Sequence, residues 1–181
     1  MIVIGIDISL NRTGYAAIKD DGTVLTSGII KSKPVGDKPV NEVRRIVKIA
    51  EDMIEKIDDL LPNQNPNLII IEGMAFAVRN TTALVQLAAL NYLVRILLDQ
   101  FKWPFVIVAP PSLKKFITQK GNSDKNVMMM CVLRDYGHEF LDDNICDAFS
   151  LAACGLALLG NPLKELTKPQ KEVINLLKFQ L

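Results

Sequence analysis

Four acidic side chains sit where an acid is costly. Asp7 interrupts IVIGIDIS, and Glu72 closes NLIIIE, two of the most apolar stretches in the chain. Asp147 lies in NICDAFSLA with Asp143 four residues before it, so on a helix both project from one face. Burying an ionised carboxylate costs several kcal/mol unless it is paired or metal-bound. Each acid has an ordinary alternative: a turn or cap for Asp7, a lysine partner for Glu72, a helix N-cap for Asp143. Gathered together, they would repel one another, and the physical remedy is a hard divalent cation. Oxygen donors in a chain with a single histidine, His138, favour Mg²⁺ or Mn²⁺. Two such ions about 3.5–4 Å apart form the clamp used for phosphodiester hydrolysis. His138 itself reads as a half-exposed structural residue.

Charge patterning agrees with a polyanionic substrate. The 181 residues hold 21 Lys and Arg against 20 Asp and Glu, a formal net charge of +1, so total charge alone does not mark a nucleic-acid binder. Between Phe101 and Asn126, however, five lysines (Lys102, Lys114, Lys115, Lys120, Lys125) face one acid, Asp124. From Asp135 to Asp147 there are five acids and no Lys or Arg. Cations that hold phosphates beside carboxylates that hold metal are what a nuclease needs. A solvated surface run would explain the lysines but not their adjacency to the acids.

The elements that must position these residues follow from periodicity. Ile2 to Ser9 alternates and is rich in β-branched residues, so it predicts a strand. After the polar loop Leu10–Thr13 and Gly14, Tyr15 to Lys19 and Thr23 to Lys31 predict two more strands, joined at the Asp20-Asp21-Gly22 turn. Val40 to Leu61 has helical spacing and stops at Pro62. Asn67 to Glu72 and Phe105 to Ala109 read as buried parallel strands on either side of a long helix, capped at Asn80 or Thr81 and ending at Gln100. A short helix at Ser112–Thr118 follows, then one capped by Ser123, then one opened by Asp142 or Asp143 and ending near Gly160. Thr167-Lys168-Pro169 starts a tail helix. Met128, Met129 and Met130 read as core filler. The expected fold class is α/β: a mixed five-stranded sheet, three antiparallel strands followed by helix-linked ones, with helices on both faces. The expected division is a nuclease domain at 1–160 and a C-terminal helical extension at 161–181.

Other classes are poorly supported. Cys131, Cys146 and Cys154 form no C-x-x-C pair, so they read as reduced core thiols in a reducing compartment, the cytoplasm, rather than a zinc site or disulfide framework. The N-terminus lacks the basic region of a signal peptide, no uninterrupted apolar run reaches membrane-spanning length, and no membrane partner is expected. The apolar surplus of the long helix suggests a dimer seam, with burial under a neighbouring helix as the alternative.

These segments resemble the RuvC-type Holliday-junction resolvases of the ribonuclease H-like superfamily, over roughly Ile2 to Gly160. GIDISLNRTGYA looks like the family's first strand with Asp7 as first metal ligand, and IIIEGMAF like its fourth with Glu72 as second acid. PPSLKKFITQKGNSDKNVM resembles the lysine-bearing segment, with Lys115 and Lys125 at positions that contact DNA or the scissile phosphate. DDNICDAFSLA resembles the closing helix, with Asp147 as final catalytic aspartate. The family places a carboxylate or histidine three residues before that aspartate. Here Asn144 stands there, so Asp143 is expected as fourth acid, with Asn144 as the competing ligand. Phe76, four residues past Glu72, matches an aromatic that stacks at the opened junction, or else is a core residue.

The resemblance implies a structure-selective, Mg²⁺-dependent endonuclease that resolves four-way DNA junctions as a homodimer. Two ions would be held by Asp7, Glu72, Asp143 and Asp147, with Mn²⁺ as the expected substitute for Mg²⁺. Lys125 would steady the phosphate, and Lys114, Lys115 and Lys120 would position the backbone. Three other readings are a less selective flap or branched-DNA nuclease of the same fold, a non-cleaving branched-DNA-binding module, and a small actin-like ATPase or sugar-kinase half. The last lacks a second glycine-rich phosphate loop.

Overall fold

A computed structural model describes residues 1–36, 38–61, 65–74 and 81–181. Three strands open the chain: β1 (Ile2–Asp7), β2 (Arg12–Lys19) and β3 (Val24–Lys31). Helix α1 (Pro39–Leu60), strand β4 (Leu68–Glu72), helix α2 (Thr81–Gln100) and strand β5 (Phe105–Val108) follow. Helices α3 (Pro110–Thr118), α4 (Lys125–Tyr136), α5 (Asp143–Leu158) and α6 (Lys168–Leu177) complete it, with a final 3₁₀ turn at Lys178–Gln180. The sheet order is β3-β2-β1-β4-β5. The first three strands are antiparallel, whereas β4 and β5 run parallel to β1. This is the mixed five-stranded sheet that the strand pattern predicts. Gly22 makes the β2–β3 turn at φ +87°, a conformation open to glycine.

Side chains alternate across β1. Val3 enters a core shared with α3, α4, α5 and α6, while Ile4 and Ile6 enter a second core shared with α1 and α2. The sheet is therefore covered on both faces, as parallel strands require. Helix α5 lies directly on β1. A Cβ on Gly5 would stand 1.9 Å from the Ala148 carbonyl oxygen, and one on Gly155 would stand 2.7 Å from Val3 Cγ1. Bare backbone on both elements thus sets their distance, and with it the height of Asp147 above the sheet.

Several local expectations shift. Strand β2 begins at Arg12 rather than Tyr15, because Thr13 Oγ1 donates to the Ser9 carbonyl (2.7 Å) and accepts from the Ser9 amide (3.1 Å), closing the turn early. Asp124, not Ser123, caps α4, accepting from the Val127 amide at 3.0 Å, while Ser123 bonds Thr118. Met128 is core, but Met130 is 69% exposed, since α4 buries one narrow side. The expected cap Asn80 lies outside the described residues. Helix α2 is long and apolar enough, by length and composition, to cross a membrane, although Gln86, Asn91 and Arg95 interrupt it. Its Leu90, Val94 and Leu98 are buried in the α1-side core.

The segment from residue 161 onward packs against α3, α5 and β5. Thr167 and Gln170 form a reciprocal capping box at the start of α6. The Gln180 side-chain amide accepts from Ile107 N–H (2.9 Å) and donates to Ile107 C=O (3.0 Å) on the outer edge of β5.

Candidate active site

The β1–β4 register places Ile6 opposite Ile71, so the next residues along each strand, Asp7 and Glu72, end the two central strands side by side. Asp7 is only 8% exposed. The two carboxyl groups share a hydrogen bond. Burial first, and then the charges of Asp7 and Asp147, together push Glu72 up to about 9. Of the two, Glu72 is the one shifted further toward its neutral form, with Asp7 accepting its hydrogen bond, and burial also raises Asp7. Asp147, on α5, is pushed up to about 7 by burial first and by Asp7 second. Three acids with upward shifts from burial and mutual repulsion mark a functional site. Glu72 is also braced from behind: the buried Asn91 amide of α2 donates to its backbone carbonyl at 3.5 Å.

Asp142, not Asp143, is the N-cap of α5, accepting from the Asn144 amide at 3.0 Å. Arg12 of β2 forms an ion pair with the other Asp142 oxygen and ties the strand to the helix start. Capping by Asp142 leaves the Asp143 carboxylate free to bind Lys125, at the first position of α4. This pairing holds the Lys125 ammonium above its ordinary value, its hydrogen bond to Asp143 being the main cause. Asn144 turns its amide back onto Asp142 (3.0 Å) and Asp143 (3.4 Å).

A cleft of about 330 Å³ joins these groups, lined by Asp7, Glu72, Asp147 and Asn144 together with Lys114 and Lys125. Asp143 stands beside it through Lys125. Among the described residues no three acids converge as a finished cation cage. Lys115 points elsewhere, into an ion pair with Glu172 of α6 at 2.7 Å. Lys120 lies in the loop after α3, where its backbone bonds the Thr118 hydroxyl. Phe76 lies outside the described residues. His138 packs against Phe149, with ring centroids 4.8 Å apart, in a structural role. Arg12 escapes sequence reading because its partner is 130 residues away.

The strand order, the helices on both faces and the acids at the carboxyl ends of the two central strands define a ribonuclease H-like protein. The chain belongs to the RuvC family: the family model, Crossover junction endodeoxyribonuclease RuvC, matches residues 3–155. It is 32% identical over 161 residues to the crossover junction endodeoxyribonuclease RuvC of Synechococcus sp. (strain WH7803), covering 86% of this chain and 97% of that one. It is 28% identical over 163 residues to that of Prochlorococcus marinus (strain NATL1A), covering 87% and 99%. In fold it is similar to Thermus thermophilus RuvC in complex with a Holliday junction substrate, with TM-score 0.69, 17% identity and coverage of 89% and 98%.

Proposed function

We propose that the chain is a structure-selective endodeoxyribonuclease that resolves four-way DNA junctions by paired phosphodiester hydrolysis. The observation that carries this reading is the Asp7–Glu72 pair across two parallel strands, with Asp147 beside it and Lys114 and Lys125 lining the same cleft. The relatives' shared name and the junction-bound Thermus thermophilus structure support the substrate.

The donor set fits a hard divalent cation. Its side chains present oxygen, and a cation would relieve the burial and mutual repulsion that raise Glu72 and Asp147. Asp7, Glu72 and Asp147, with Asp143 adjacent, would hold Mg²⁺, or Mn²⁺ in its place, two per site. When bound, such ions supply the Lewis acidity for in-line displacement at phosphorus, leaving a 5′-phosphate and a 3′-hydroxyl. The protein's own cations do the positioning. Lys114 holds a backbone phosphate at the cleft. Lys125 trades its Asp143 partner for a phosphate oxygen and places positive charge where negative charge develops.

A two-cut reaction on a two-fold substrate suits a homodimer. Val85, Tyr92 and Ile96 lie on one stripe of α2 and are 67%, 60% and 52% exposed. That stripe is the proposed seam.

The test is cleavage of a labelled four-way junction, with linear duplex and flap controls, in Mg²⁺ and in EDTA. Paired cuts in the junction alone, lost in EDTA, support the reading. Preferential cutting of flaps overturns junction selectivity, and tight binding without cutting overturns the nuclease.

A further inference from the structure

A second concentration of positive charge lies on the other flank of the molecule. A trough of about 440 Å³ runs between the end of β3 and the first half of α1, and five cations line it: Lys31, Lys33, Arg44, Arg45 and Lys48. Its single acid, Asp52, is already neutralised by Lys48 at 2.9 Å. Arg45 is committed to structure, donating to Ser32 Oγ (2.9 Å), Asn11 Oδ1 (2.6 Å) and the Leu10 carbonyl. Lys31, Lys33 and Arg44 make no ion pair among the described residues and face solvent.

The placement gives the trough a direction. Lys31 pairs with Arg12 at the end of the sheet where β1 and β4 present Asp7 and Glu72. Two strand spacings separate β3 from β1, roughly 10 Å. Lys114 and Lys125 flank the acids from the α3–α4 side, so cations border them on both sides. Arg45 bonds the loop that follows Asp7, fixing the trough rigidly relative to the cleft. The free cations come from three places, the end of β3, the following loop and α1, and they are spread along an open surface. Such a row matches a continuous polyanion better than one small anion.

We infer that this trough is a second nucleic-acid site, which grips the phosphate backbone of the DNA arm leaving the cleft past β3. The inference rests on the nuclease reading above and adds where the substrate runs. Binding there anchors a strand one or two nucleotides from the reacting phosphate without touching it, so the trough governs affinity and not the chemical step.

The experiment compares wild type, the triple variant Lys31→Gln/Lys33→Gln/Arg44→Gln, and a control triple Lys19→Gln/Lys56→Gln/Lys102→Gln that removes equal charge elsewhere. Junction affinity is measured in EDTA across a salt series, and single-turnover cleavage in Mg²⁺ at saturating protein. The trough variant is expected to lose at least tenfold in affinity and to flatten the log–log salt slope by about 2–3. Its saturated cleavage rate should stay within about twofold of wild type. A slope equal to the control's overturns the inference while leaving the nuclease intact. A wild type that neither binds nor cuts the junction removes both. Lysine acetylation of wild-type protein gives a second readout that needs no variant. Junction DNA should shield Lys31, Lys33 and Lys48, and unchanged reactivity, or equal shielding by inorganic phosphate, overturns the site.

Discussion

The upward shifts of Glu72 and Asp147 link protein stability to pH. Burial and neighbouring charge push Glu72 up to about 9 in the folded chain against an ordinary 4.5, and Asp147 up to about 7 against 3.8. Between those values the native protein keeps protons that the unfolded chain has released, so stability falls as pH rises and is fully retained only below the unfolded values. Metal-free protein in EDTA should therefore lose several degrees of Tm from pH 5 to 9. Glu72→Gln should flatten that slope and melt higher at the alkaline end, as thermal scans would show. Asp7→Asn should abolish cleavage while junction binding in a gel shift survives, because it removes a charge and not a phosphate contact. Retained cutting would remove Asp7 from the mechanism. Asp7, Glu72 and Asp147 were legible because each acid interrupts an apolar run. Lys115 was not, since the direction of its side chain depends on Glu172, 57 residues later.

Helix α5 shows how one cap assigns two neighbouring acids to different tasks. Asp142 closes the helix start and binds Arg12, and Asp143 is left for Lys125. Asp142→Ala should cost about 1 kcal/mol from the lost cap. For a protein of this size that is a Tm drop of roughly 2–4 °C, read by calorimetry. It should also slow cleavage, because Asp147 and Asp143 ride on the same first turns. Sequence narrowed the helix start to two adjacent aspartates and could not choose, since either fits the local pattern. The deciding group, Arg12, arrives from β2. The succession of strands and helices along the chain was readable from alternating and continuous apolar runs, whereas those runs did not state the order of strands across the sheet. The start of β2 was not, because Thr13 looks like a loop residue until its hydroxyl closes onto Ser9.

At the scale of the molecule, the proposed dimer seam on the apolar stripe of α2 makes a prediction about assembly. Val85→Glu/Ile96→Glu should yield a monomer by sedimentation and replace paired junction cuts with single nicks, whereas the same change should leave the Asp7–Glu72 pair untouched. An unchanged sedimentation coefficient would place the seam elsewhere. The surplus of apolar residues on α2 was visible in sequence, but not which residues remained outside. Leu90, Val94 and Leu98 went to the core, and Val85, Tyr92 and Ile96 did not. Only the packing of α1 and the sheet selects between them.

The Gln180 amide on β5 has a consequence for how these molecules behave when crowded. A terminal strand with free amides and carbonyls is a template onto which another chain can zip, and repetition of that step builds aggregates. By satisfying both polar groups of Ile107, one side chain acts as a stopper at the sheet's β5 border. It blocks open-ended growth there, so copies of the protein crowded together do not polymerise through this strand.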